Sequence, residues 1–117
     1  MSDTIVAPAT PGGRGGVGIV RLSGKKAADI GRKLCGNLDE PWKFKRCNIL
    51  DLDQVEIDSG LVVLFKSPKS YTGEDVLEIH CHGNPVLINK IIGASVACGA
   101  RMAKPGEFTE RAFLNNK

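Results

Sequence analysis

The stretch Asp75-Val76-Leu77-Glu78-Ile79-His80-Cys81-His82-Gly83-Asn84-Pro85-Val86-Leu87-Ile88-Asn89-Lys90-Ile91-Ile92-Gly93-Ala94-Ser95-Val96-Ala97-Cys98-Gly99 decides the fold. Residues Asp75 to His82 alternate, with Leu77, Ile79 and Cys81 on one face and Val76, Glu78, His80 and His82 on the other. That is the period of a strand with one buried side. Asn84-Pro85 then changes the pattern, because an asparagine N-cap followed by proline at the first helical position starts a helix. Val86, Leu87, Ile91, Ile92, Ser95 and Val96 are expected to form its core stripe, and Gly99 ends it. A strand feeding directly into a helix makes this a chain of mixed α and β structure.

Upstream, Ser67 to Gly73 is loop chemistry throughout. Before it, Glu56 to Phe65 reads as a strand ending in the unbroken apolar run Leu61-Val62-Val63-Leu64-Phe65, which suggests cover on both faces. Cys47 to Leu52 reads as another strand, reached through a connector at Pro41 to Arg46. Gly18 to Ser23 is a strand with Ile19, Arg21 and Ser23 on one face and Val20 and Leu22 on the other. Ser23 is the expected N-cap of a helix from Gly24 to about Leu34, with Ala27, Ile30, Gly31 and Leu34 inward and Gly36 as the stop. Thr4 to Ala9 is a short extended start bounded by Pro8 and Pro11, and Gly12 to Gly18 is a glycine-dense loop carrying Arg14. Downstream come a short strand at Arg101 to Ala103, a turn at Pro105-Gly106, and a helix from Glu107 to Asn115 that reads as if continuing into a longer protein. Some strands follow each other directly while others alternate with helices. The expected class is therefore α+β: a mixed β-sheet with about three helices on one face, residues 1–117 forming one domain.

The composition agrees. The 117 residues are 42% hydrophobic and 25% charged, which suits one globular domain and excludes disorder. No apolar run approaches the ~20 residues that span a bilayer. Met1 to Ala7 lacks a basic n-region before an apolar stretch, so a cytoplasmic location is expected. The net charge of +3 is too mild to announce a nucleic-acid binder. Lys43, Lys45 and Arg46, interleaved with Trp42 and Phe44, form the densest basic patch, read as a solvated loop with an RNA contact as the alternative. The four cysteines, Cys35, Cys47, Cys81 and Cys98, form no C-x-x-C pair and read as reduced, largely buried thiols.

Gly13-Arg14-Gly15-Gly16-Val17-Gly18 satisfies G-x-G-x-x-G, yet a strand follows it where a dinucleotide site needs a helix. Gly24-Lys25-Lys26 lacks the hydroxyl residue and the glycine spacing of a P-loop. His80 and His82 share a strand face and can chelate in principle, but two ligands do not close a zinc site. Glu78 is more informative. It sits between Leu77 and Ile79, where a carboxylate needs a partner. Arg21, between Val20 and Leu22, is its counterpart. One reading is an ordinary cross-strand ion pair. The other is a pocket with a carboxylate acceptor and a guanidinium donor, in which the carboxylate accepts two parallel hydrogen bonds from a ring N–H beside an exocyclic NH2, as in a pterin or guanine, and the guanidinium donates to carbonyls or carboxylates.

Thr4-Ile5-Val6-Ala7, Gly12 to Ser23 (GGRGGVGIVRLS), Ser70 to Glu78 (SYTGEDVLE), His82-Gly83 and Lys104 to Lys117 (KPGEFTERAFLNNK) occur in the order of the N-terminal domain of the MnmE (TrmE) family of tRNA-modification GTPases. The chain resembles that domain from end to end. The resemblance implies a fold similar to the tetrahydrofolate-binding domain of glycine-cleavage T proteins, homodimerisation, and binding of 5-formyltetrahydrofolate or methylenetetrahydrofolate. It further implies that Arg21, Glu78 and Lys117 contact the folate. In the family, a helical domain and an inserted G domain follow, the latter using GTP, magnesium and potassium. With the FAD protein MnmG, the whole protein modifies C5 of the wobble uridine of certain tRNAs. Asn84 stands where the family often has a second glycine, and Pro8 is unusual in the first strand. These 117 residues carry no counterpart of the G domain, the helical domain or the family's C-terminal cysteine motif, so on their own they are not expected to hydrolyse GTP. Two other functions compete: a pure dimerisation module without folate binding, and an RNA reader using Lys43, Lys45 and Arg46.

Overall fold

The computed structural model describes residues 3–10 and 15–116. Along the chain lie β1 (Ile5–Pro8), β2 (Gly15–Ser23), α1 (Ala27–Cys35), β3 (Lys45–Leu50), β4 (Glu56–Phe65), β5 (Val76–Gly83), α2 (Pro85–Ala97), β6 (Arg101–Met102) and α3 (Glu107–Leu114). The strands form one six-stranded sheet in the order β3-β4-β5-β2-β1-β6. Neighbours pair antiparallel, except that β1 and β6 run parallel. The expected α+β class with a mixed sheet and three helices is the one found. No helix among the described residues is long and apolar enough to cross a membrane.

Register explains the core. Leu22, Leu77 and Leu64 lie side by side on β2, β5 and β4, and Val20, Ile79 and Val62 form the adjacent row. All six are 3% exposed or less. Helices α1 and α2 cover this face with Ile30, Leu34, Ile88 and Ile91. Burying such aliphatic side chains stabilises by roughly 1.5–3 kcal/mol each, and this apolar layer is the main favourable contribution. Gly31 lets α1 sit close to the sheet: a Cβ there would stand 2.8 Å from the Leu77 side chain.

Four expectations need correction. Ser23 does not cap α1. Gly24, at φ 138, carries the chain onward, so the helix begins at Ala27, and the Thr4 hydroxyl accepts from the Lys26 N–H at 2.9 Å instead. The Ser23 hydroxyl is spent on Thr72 and Glu74, at 2.7 and 2.6 Å. The segment Gly15 to Gly18 is not loop but the first half of β2, paired to β5 with a bulge between Gly15 and Val17. Gly18 serves close approach, since a Cβ there would meet Ile88 Cδ1 at 2.7 Å, whereas a Cβ on Gly15 or Gly16 would meet nothing within 4 Å. The expected loop residues Gly12 to Arg14 lie outside the described residues. In α2 the inward stripe is Ile88, Ile91, Ile92, Ala94 and Ser95, while Val86 and Val96 are 57% and 42% exposed. The helix is apolar nearly all round, which blurs its phase. Finally, β3 begins at Lys45 and ends at Leu50, because Asp51 starts a turn whose carboxylate takes the N–H groups of Asp53 and Val55. Among the cysteines, all free, Cys35 and Cys81 are buried and Cys47 and Cys98 half-buried.

Helix α3 docks differently, because it buries only Glu107 and Ala112. Charge holds it. Arg101 grips both Glu107 oxygens at 2.7 and 3.1 Å and reaches Asp3 at 2.7 Å, while Arg111 bonds Asp3 at 2.6 Å and Glu74 at 3.0 Å. The Arg101 guanidinium, with help from the Lys104 N–H, outweighs burial and holds the Glu107 carboxyl at about 2; the same guanidinium leads in holding Asp3 at about 2. Both carboxyls are depressed by folding, so their stabilisation is complete above the ordinary carboxylate range and is lost as pH falls toward that value. Glu107→Gln should therefore lower the melting temperature at neutral pH and flatten its decline between about pH 5 and pH 2.5. An acid slope identical to that of the parent, followed by circular dichroism, would show that α3 is held by something else.

Candidate functional site

Arg21 and Glu78 are directly opposed on β2 and β5. Their neighbours Val20, Leu22, Leu77 and Ile79 point into the helix-covered core, so period-two alternation turns the charged pair onto the open face of the sheet. Arg21 Nε and Nη2 both donate to Glu78 Oε2, at 3.0 and 2.8 Å. The other carboxylate oxygen, Oε1, lies 2.9 Å from His80 Nε2. The His80 ring is met edge-on by Phe44, with centroids 5.1 Å apart and planes at 81°. On the far side, the Arg21 guanidinium lies 5.8 Å from the centre of the Tyr71 ring, and the Tyr71 hydroxyl pairs with Thr109 at 2.7 Å. Phe44, His80, Glu78, Arg21, Tyr71 and Thr109 thus touch in sequence across the face.

The electrostatics favour an ionised Glu78. Burial alone would raise its carboxyl, but hydrogen bonds from His80 and Arg21 more than offset this, and the net shift is downward. The side chains of Arg21 and Glu78 are 28% and 15% exposed, covered enough to strengthen the pair and open enough to be reached. No buried side-chain nitrogen or oxygen among the described residues lacks a hydrogen-bond partner, so the site is internally satisfied.

The pair expected from the sequence is therefore brought together. Lys117 lies outside the described residues. Surface cavities of about 550, 430, 360 and 480 Å³ are present, and none of the four is lined by Arg21 or Glu78. The first shares their sheet face: it is lined by Arg46, Asn48, Ser59, Leu61 and His82, and Leu61 is the register partner of His80. The pocket expected around the pair is therefore not found: the two side chains form a part-covered floor on the sheet face, outside all four cavities.

The histidines on this face part company. His80 serves Glu78, whereas His82 turns to Asp58 at 3.0 Å, and its hydrogen bonds overcome burial to lower the Asp58 carboxyl. Among the described residues, no group of three or more metal-holding side chains forms. In the basic patch, Lys43 faces Glu40 at 3.7 Å and Lys45 donates to the Asn37 carbonyl, leaving Arg46 at the cavity edge. Sequence reasoning missed His80 as a partner of Glu78, although their spacing of two on one strand face signals the contact. Tyr71 carried no such signal, because its approach to Arg21 depends on how the loop after β4 packs.

With this geometry in place, the comparisons with known proteins decide the family. The model of the GTP-binding protein TrmE N-terminus matches residues 4–117. The chain belongs to this family. It is 57% identical over 115 residues to the tRNA modification GTPase MnmE of Francisella tularensis subsp. holarctica (strain FTNF002-00 / FTA), covering 98% of this chain and 25% of that protein. The MnmE of Francisella philomiragia subsp. philomiragia gives the same identity and coverage. The chain thus spans about a quarter of the length of the curated relatives it matches (25% of each) and corresponds to a TrmE N-terminal domain.

The pair's own energetics are accessible without any ligand. A double-mutant cycle of Arg21→Met and Glu78→Gln, read by urea denaturation, should return a coupling of about 1–2 kcal/mol, between the values for exposed ion pairs and for charged hydrogen bonds in partly covered sites. A coupling of zero would mean that solvent screens the contact completely.

Proposed function

We propose that residues 1–117 form the folate-binding and dimerising N-terminal domain of a tRNA modification GTPase. The observation that carries this reading is the Arg21–Glu78 pair, aligned by register on an open sheet face with aromatic rings at either end of its contact chain. Glu78 offers carboxylate oxygens to the amino group and ring N–H of a pterin, the donor arrangement that a planar carboxylate fits. Arg21 supplies donors to a ring carbonyl or a tail carboxylate, and Lys117 adds a third, cationic contact. The donor set suits 5-formyltetrahydrofolate or methylenetetrahydrofolate, the latter a source of a one-carbon unit.

An open floor gives a ligand one wall. A second copy of this chain placed face to face supplies the other, which is why dimerisation and folate binding belong together in this proposal. In the whole protein, GTP hydrolysis assisted by magnesium and potassium falls to a separate G domain. The FAD protein MnmG joins in modifying C5 of the tRNA wobble uridine, in the cytoplasm.

Calorimetric titration with 5-formyltetrahydrofolate tests the reading. Saturable heat is expected, and Glu78→Ala or Arg21→Ala should each weaken binding by about tenfold or more, equivalent to about 1.4 kcal/mol per factor of ten. Light scattering on the same samples should report a dimer. A dimer without folate heat would replace the proposal with a pure assembly module.

A further inference from the structure

We infer that His80 is the positioning residue that keeps the Glu78 carboxylate aimed at its ligand, and that the Arg21 hydrogen bonds are the ones that yield when the ligand arrives. This rests on the folate reading of the site and adds an order of events to it.

The inference comes from counting lone pairs. An ionised carboxylate has about two acceptor positions on each oxygen. Oε2 of Glu78 already accepts from both Nε and Nη2 of Arg21, which uses its capacity. Oε1 accepts from His80 alone and keeps one position free. A ring N–H beside an exocyclic NH2 needs one acceptor on each oxygen. Oε1 can take its share with His80 in place, but Oε2 has nothing to offer until one Arg21 donor leaves.

Arg21 is equipped to leave. Its Nη1 makes no hydrogen bond to the described residues, and the Tyr71 ring 5.8 Å away offers the guanidinium an aromatic face. Its freed donors then meet the acceptors of the ligand. His80 is equipped to stay. Its side chain is 19% exposed, and the Phe44 edge braces its ring. The terminal torsion of a glutamate is broad, so a carboxylate deprived of Arg21 would swing freely if nothing else held it. Holding Oε1 removes that freedom before binding, and ordering done in advance is affinity gained. The role also fixes a tautomer: against an ionised carboxylate, Nε2 must carry the proton and donate it.

Two measurements test this. In the ligand-free protein, the imidazole nitrogen spectrum should show His80 as the Nε2–H tautomer, and Glu78→Ala should release that preference. In calorimetry with 5-formyltetrahydrofolate, His80→Ala should bind about tenfold more weakly, while His80→Gln, whose amide can donate to the same oxygen, should recover to within about threefold of the parent. The Arg21 Nε–H signal, hydrogen-bonded in the free protein, should shift on saturation. Equal affinity for His80→Ala and the parent, or equal loss in the Ala and Gln variants, overturns the inference. Absence of heat from the parent itself removes the folate reading instead. The spectrum then judges the His80 contact alone: Nε2–H retains the hold on Glu78, and Nδ1–H overturns it.

Discussion

The antiparallel register of β2 against β5 is the constraint on which the molecule depends. Eight pairs, from Gly15↔Gly83 to Ser23↔Val76, lock the two central strands together. A slip of one residue would turn every β5 side chain to the wrong face, placing Glu78 and His80 under the helices and Leu77 and Ile79 in water. Burial of an unpaired carboxylate and exposure of two aliphatic side chains both oppose that slip. The apolar rows therefore specify the site indirectly. Packing Leu22 on Leu77 and Val20 on Ile79 leaves Arg21 no position except opposite Glu78.

Glycine makes this register attainable at the end where β2 is bulged. A side chain at Gly83 would collide with the Gly15 backbone, and one at Gly18 with Ile88 of α2. Gly18 and Gly83 thus act in packing, letting a helix and two strands approach where a Cβ on either would hold them apart. The same economy appears at the other edge of the fold. With little apolar surface to bury, α3 is joined through Arg101, Arg111, Asp3, Glu74 and Glu107. Since Tyr71 is tied to Thr109 on α3, and Glu74 to both Arg111 and Ser23, that charged junction borders the open face.

How much of this the sequence disclosed depends on the range of the interaction responsible. The stretch ending in an unbroken apolar run marks β4 and a period-two pattern marks β5, each to within a residue, and the Asn84-Pro85 start and Gly99 end of α2 are local signals that the fold follows. The Arg21–Glu78 meeting was legible because each charge broke an apolar alternation, which marks a residue needing a partner. What failed was decided by distant neighbours. Ser23 has the chemistry of a helix cap, but Thr72 and Glu74 compete for its hydroxyl, and the Thr4 hydroxyl, just before β1, accepts the Lys26 N–H at the helix start. The inward stripe of α2 was ambiguous because a helix with apolar residues on most sides fits several phases; Ile88 prevailed over Val86 through its contact with Gly18. Tyr71 and Phe44 reach the site from loops and edges, where no periodicity constrains direction.

The open face poses a question of balance that the contacts themselves answer. A site whose polar groups were unsatisfied at rest would weaken the fold, since a partly covered charge without a partner is costly. A site whose groups were bound as tightly as possible would resist any ligand. Glu78 lies between these limits. Both of its oxygens are occupied, so the fold bears no unpaired charge, yet two of the donors come from one guanidinium that holds a single oxygen rather than spanning both. A parallel two-oxygen grip is the stronger arrangement for an arginine and a carboxylate, and it is not the one adopted. The third donor, His80, takes the oxygen that Arg21 leaves alone. This division of the carboxylate keeps the resting state satisfied while leaving one of its two contacts exchangeable, and it follows from the spacing of two between Glu78 and His80 on one strand, opposite an arginine fixed by the core.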